Sequence, residues 1–231
     1  ASEIARHQVR AGAQIVDVCL ANPDRDERAD MDKFLDFVTR KVKAPLMIDT
    51  TDAAVMELAL KKFMGRSVVN SINLEDGEEK ADHICRLARE YGAALVALTI
   101  DEQGMAKSAE RKIAVARRLY DIAVGRWGLP PSALLFDPLT FTIGSGDEDS
   151  RDAGVQTLSG IRGIKEALPG VGTLLGLSNI SFGLKPFARQ VLNSVFLSEA
   201  LLHGLDAAIV SPAKILPLAK LSPEEVQLAR D

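Results

Sequence analysis

The sequence predicts an α/β fold on one parallel sheet, a (β/α)8 TIM barrel lacking its first strand, and three observations lead there. Seven short apolar runs alternate with segments of helical period along the 231-residue chain. The runs are apolar at consecutive positions, the mark of strands covered on both faces, and such strands joined by helices form parallel sheets. The chain opens on a helical segment, "ASEIARHQVRAG", with no strand before it. Seven strands also suit an open, doubly wound sheet. A helix that begins a βα series without its own strand favours a barrel whose first strand is not in this chain.

In chain order, strands are expected at 14–20 (QIVDVCL), 45–50 (PLMIDT), 67–74 (SVVNSINL) and from Leu95 onward. Three more are expected at 134–140 (LLFDPLT), 173–179 (TLLGLSN) and 207–212 (AAIVSP). Between them, Met31, Phe34, Leu35, Val38 and Val42 make one helical stripe. Ala81, Ile84, Ala88 and Tyr91 make a second, and Ile113, Ala116, Tyr120, Ala123 and Trp127 a third. Gly92, Gly128 and Gly204 stand where left-handed C-caps are expected. Ser222-Pro223-Glu224-Glu225 has the form of a capping box with proline at the first helical position. No linker, internal repeat or low-complexity tract divides the chain, so 1–231 reads as a single domain.

Composition narrows the function classes. Net charge is −4 with basic and acidic residues interleaved, which argues against nucleic-acid binding. The longest apolar run, "AALVALTI", has strand length, far below the ~20 residues of a membrane span, and the polar start does not read as a signal peptide. Cys19 and Cys85 make no disulfide framework and suit a reducing, cytoplasmic setting. Cys19 reads as a small apolar filler. His7, His83 and His203 lie far apart in helical patterns, so no metal is expected.

In a barrel, chemistry gathers at the C-terminal ends of the strands. Here those ends carry Asp17, Asp49, Asn70, Asp137 and Asn179, with neither lysine nor histidine within the strands. Asp52 and Asp101 read as helix N-caps. Asp49 and Asp137 are followed by more loop before any helix, and Asn70 stands inside a strand run, so capping accounts for them poorly. Two carboxylates and two amides suit a ligand with a flat edge of N–H donors beside acceptors. On this ground alone the ligand is a nitrogen heteroaromatic of unspecified kind. No group titrating near neutrality is expected at the rim.

The stretches "IDTTD" (48–52), "VVNSINLEDG" (68–77), "ALTIDEQGMAK" (97–107), "LLFDPLTFTIGSG" (134–146), "GLSNISFGL" (176–184) and "RQVLNSVFL" (189–197) follow in order. Together they resemble the pterin-binding, methyltetrahydrofolate-binding domains of cobalamin-dependent methionine synthases, over essentially the whole chain. The resemblance implies a pterin-binding (β/α)8 barrel that is a fragment of a larger multidomain protein. It implies pterin ligands at Asp49, Asn70, Asp137 and Asn179, with Asp137 on the 2-amino/N3 edge and Arg189 as the loop arginine. The family's Gly-Glu-Arg contact on the first strand is not in this chain.

The implied reaction moves the N5 methyl of 5-methyltetrahydrofolate to cob(I)alamin. The cobalamin is supplied by a separate cobalamin-binding domain, since no DxHxxG motif occurs here. The resemblance makes Asn179 and Asp49 the catalytic candidates. Asn179 would donate a hydrogen bond to N5, and the proton would come from solvent through Asp49. Lys107, Lys185 and Arg189 are the basic residues of candidate loops near an anionic folate tail. A reduced-folate binding module without turnover and a dihydropteroate synthase-like enzyme are the alternatives. Against the latter, Asn179 and Ser211 stand where that family carries a lysine and an arginine.

Overall fold

The computed structural model describes residues 2–144 and 151–231. Ser145 and Gly146, the end of the "LLFDPLTFTIGSG" stretch, lie outside the described residues. The elements run α1 (Ser2–Arg10), β1 (Val16–Cys19), α2 (Glu27–Val38), β2 (Leu46–Asp49), α3 (Ala53–Lys62), β3 (Val68–Ile72), α4 (Glu78–Tyr91) and β4 (Ala94–Leu98). A small antiparallel hairpin, β5 (Ile100–Asp101) and β6 (Gly104–Met105), precedes α5 (Ala109–Tyr120). Then come β7 (Leu134–Asp137), α6 (Ala153–Ala167), β8 (Gly172–Leu175), α7 (Pro186–Leu202), β9 (Ala207–Ala208) and α8 (Pro223–Arg230).

The seven-stranded sheet is parallel and its order, β1-β2-β3-β4-β7-β8-β9, never reverses. That separates it from a doubly wound sheet, whose order turns back at a switch point. Right-handed crossovers in one direction put every helix on the same side of the sheet. The other face must then be covered by the sheet curling on itself. Burial agrees: Met47, Val96 and Leu174 are 3%, 0% and 2% exposed and form an inner cluster with Val68 and Ala94, made of strand residues alone. On the outer face, Val16, Val18, Leu46 and Ile48 pack with Met31, Leu35 and Val55 of the helices. Leu95, Ala97, Leu134 and Phe136 pack with α4 and α5.

The curl is a half-barrel. Among the described residues no ladder joins β9 to β1, and the inward positions of β1, Asp17 and Cys19, are open to solvent. No described helix is long and apolar enough to cross a membrane.

Local signals explain most element ends. Gly92, Gly128 and Gly204 all have positive φ at helix ends, and Ser222 and Glu225 form the reciprocal capping box. Asp52 caps α3 by accepting from Ala54 and Val55. Asp101 is a correction. It lies in the hairpin, accepts from the Gln103 N–H and pairs with Arg111, while Ser108 caps α5. The strand expected over 173–179 stops at Leu175, and Leu177–Ser181 forms a 3-10 turn instead.

Candidate active site

Strand alternation aims the first three site residues. Met47, Val68 and Leu135 belong to the inner cluster, so Asp49, Asn70 and Asp137, each two residues on, point to the same inner face one layer nearer the C-terminal mouth. Asp49 and Asn70 are register partners on neighbouring strands, and Asp137 is level with Leu98 of β4. Val96, Leu98 and Leu174 are apolar neighbours of these residues on the same inner face, Val96 level with Asn70 and Leu98 with Asp137.

Asn179 reaches the site from the turn after β8. A Cβ built on Gly176 would lie 3.3 Å from Asn179 Nδ2 and 3.9 Å from Asp137 Oδ2, so both side chains flank one glycine. The Asn179 side-chain amide makes no hydrogen bond to any described residue and is exposed. Asn179 itself enters the hydrogen bonding of its turn through its main-chain N–H and carbonyl. Arg189 stands behind that turn. Its Nε donates to Ser181 Oγ at 3.2 Å and Nη2 approaches the Ser178 carbonyl at 3.4 Å. It therefore braces the Asn179 turn and forms no hydrogen bond to Asp49, Asn70 or Asp137. It also lines a cleft of about 580 Å³ beside α7 with Ser178, Asn193, Ser211 and Lys214.

Asp137 is 6% exposed. Its Oδ1 accepts the Leu139 N–H at 2.7 Å and its Oδ2 the Gly176 N–H at 3.2 Å. Burial nevertheless dominates and pushes its pKa up to about 6, against those two bonds and the charge of Lys112. Asp17 is exposed, but partial desolvation of its carboxylate at the inner face, and then the charge of Asp49, lift it to about 6. Asp49 itself is raised, first by burial and then by Glu27, and is held back by the Cys19 thiol. Two readings of the sequence are thereby corrected. Groups that titrate near neutrality do stand at the rim, and Cys19 is an exposed thiol near Asp49 rather than apolar filling. Among the described residues no group of three or more His, Cys, Asp or Glu is placed to hold a metal.

Gly176 lies between two of the candidate site residues, and sequence reasoning passed over it. Its φ of −70° is open to any residue, so its smallness serves space rather than backbone freedom. Gly176→Val should put methyl groups between Asn179 and Asp137. Pterin affinity should fall at least tenfold, about 1.4 kcal/mol. The melting temperature should stay within a few degrees of wild type, which calorimetry and ligand titration on the same sample would check. Lys112 was also missed, although its spacing from Ala109 and Ala116 puts it on the buried face of α5.

Residues 1–211 match the family described as pterin binding enzyme. The chain is 45% identical over 232 aligned residues to a methionine synthase of Mycobacterium tuberculosis and 46% identical to one of Mycobacterium leprae, with 99% of this chain covered in each case. It spans 20% and 19% of the length of those two relatives. Among solved structures, it is similar to a dihydropteroate synthase from Xanthomonas albilineans in complex with 7,8-dihydropteroate. The TM-score is 0.69 at 18% identity, over 99% of this chain and 82% of that one. A dihydropteroate synthase from Thermus thermophilus gives a TM-score of 0.63 at 24% identity, over 90% and 81% of the two chains. At these identities the structural likeness speaks for the fold alone.

Proposed function

The chain belongs to the pterin binding enzyme family, and from that premise we propose that it is the folate-binding module of a larger methionine synthase, a methyltransferase. In this reading residues 1–231 are one domain. It binds 5-methyltetrahydrofolate and supports transfer of the N5 methyl to cob(I)alamin carried on a separate domain. The observation that carries the reading is the convergence of Asp137 and Asn179 on Gly176, on the same inner rim as the Asp49–Asn70 pair. Methionine synthase relatives at 45% and 46% identity favour methyl transfer over dihydropteroate synthesis. Two free thiols, Cys19 and Cys85, fit a cytoplasmic setting.

The division of labour follows from the donors and acceptors. Asp137 presents two carboxylate oxygens to the 2-amino and N3–H donors of the pterin, a charge-assisted pair in a dry site. Asn70 and Asp49 take the other ring edge. Asn179 keeps an uncommitted amide N–H for N5. As the C–N bond breaks, negative charge grows on N5, and a donor fixed at that atom stabilises the transition state more than the ground state. N5 also needs a proton. Asp49 and Asp17, both with raised pKa values, are acids able to relay one from solvent. The cobalamin supplies the cobalt nucleophile. No residue of this chain is asked to bind it permanently.

The test is direct. The purified chain is mixed with cob(I)alamin and 5-methyltetrahydrofolate, and the cobalt absorption is followed. Conversion to the methylcobalamin spectrum faster than in protein-free buffer is expected. Folate binding without that change would make the chain a non-catalytic folate module. Condensation of a pterin pyrophosphate with aminobenzoate would make it a dihydropteroate synthase.

A further inference from the structure

Lys112 on α5 is among the largest fully buried side chains, 0% exposed. A lysine is almost never fully buried unless it is paired, and this one lies outside the reaction described above. Its Nζ donates to the carbonyls of Ala106 at 2.8 Å, Pro138 at 2.6 Å and Leu139 at 3.2 Å. All three ammonium protons therefore have acceptors. Two of these carbonyls belong to the residues that directly follow Asp137. The Phe141 ring adds a cation–π contact, 5.2 Å from Nζ to its centroid.

The backbone held this way is strained. Leu139 has φ 60°, the one non-glycine residue with positive φ among the described residues. That conformation is disfavoured for a residue with a side chain and persists only where the surroundings over-determine it. Here the surroundings are Lys112 and Thr157, both donating to the Leu139 carbonyl, and Asp137, accepting the Leu139 N–H. Space for the lysine stem is reserved as well. A Cβ at Gly160 of α6 would sit 2.8 Å from Lys112 Cδ and 3.5 Å from Pro138 Cβ.

We propose that Lys112 is the positioning residue of the pterin pocket. Its ammonium ties the turn after β7 into the one conformation that aims the Asp137 carboxylate at the ligand, and its charge keeps that carboxylate anionic. This deepens the reading of Asp137 as the pterin acceptor and rests on it. The electrostatic link is reciprocal. Lys112 is the one charge that lowers the Asp137 pKa, and Asp137 the one charge that raises that of Lys112, itself brought down to about 8 by burial. Around the pair, α6 contributes uncharged Thr157 and Gly160, and on the hairpin side Asp101 is engaged by Arg111.

The experiment is the pH dependence of methyltetrahydrofolate affinity, by titration calorimetry, for wild type, Lys112→Met and Asp137→Asn. For Lys112→Met the midpoint for loss of binding should move to higher pH by about one unit, the effect of losing one close opposite charge. Affinity at pH 7 should drop about tenfold or more. A lysine that merely fills space would change the melting temperature and leave the midpoint in place, and that result overturns the proposal. If Lys112→Met does not fold, the ε-carbon titration of Lys112 by NMR decides between wild type and Asp137→Asn. Its pKa should fall in the variant, and an unchanged value overturns the proposal. Wild-type affinity in Asp137→Asn would instead remove the Asp137 reading, and this proposal with it.

Discussion

Asp137→Asn should abolish useful pterin binding while leaving the barrel folded. The carboxylate offers two acceptor oxygens to two parallel N–H donors. An asparagine offers one acceptor and turns an NH2 toward the second donor. One charge-assisted bond is lost and a buried donor is left unmet, together about 3 kcal/mol or more. Affinity should therefore fall on the order of 100-fold. The apo protein should melt within a few degrees of wild type, because the substitution also removes a cost. The folded-state pKa of Asp137, about 6, lies above its ordinary value of 3.8. The fold thus prefers the protonated acid, and Asp137 makes the apo protein lose stability as pH rises from about 4 to 6. For the ligand the sign is opposite. Binding needs the anion, is complete above about pH 7, and fades as pH falls through 6. Titration calorimetry between pH 5 and 8 would show that slope in wild type and none in the variant. Equal binding by both proteins would remove Asp137 from the pocket.

The features legible in the sequence are those written in local patterns. Consecutive apolar runs specified a parallel sheet, and Gly92, Gly128 and Ser222 marked helix ends where the chain turns. The period-2 rule alone puts Asp49, Asn70 and Asp137 on the inner face once Met47, Val68 and Leu135 are known to lie there. What stayed hidden depends on contacts between distant segments. Asp101 looks like a cap because an acid precedes a helix, but Arg111 and the Gln103 N–H claim it in a hairpin too short to show as strands. The spacing of Lys112 shows a buried face, but what its ammonium pairs with stays hidden, since its acceptors lie 26 and 27 residues away as well as 6. Asp137 acquires its near-neutral pKa from burial, and Asp17 from partial desolvation beside Asp49, which no short stretch encodes. Gly176 looks like a strand interruption, and its service to two side chains 39 and 3 residues away becomes visible only when they converge.

Asn179→Ala should slow methyl transfer far more than it weakens folate binding, and should leave stability untouched. The side chain is exposed and makes no hydrogen bond to any described residue, so its loss leaves no protein group unpaired. Ground-state binding loses at most one neutral hydrogen bond, roughly 1 kcal/mol, or about fivefold in affinity. The transition state loses more, because charge develops on N5 only as the methyl departs. Removal of one fixed donor at such an atom typically costs on the order of 100-fold in rate. Single-turnover methylation of cob(I)alamin at saturating folate isolates that step, and equilibrium titration gives the affinity beside it. Asn179→Gln tests position as well as chemistry. It keeps the donor but moves it by about 1.5 Å, and should recover little of the rate because catalysis by a donor depends on where the charge appears. If Asn179→Ala loses affinity but keeps the saturated single-turnover rate, the amide is a binding group alone. The proton relay from Asp49 and Asp17 would then have to stabilise the departing N5 by itself.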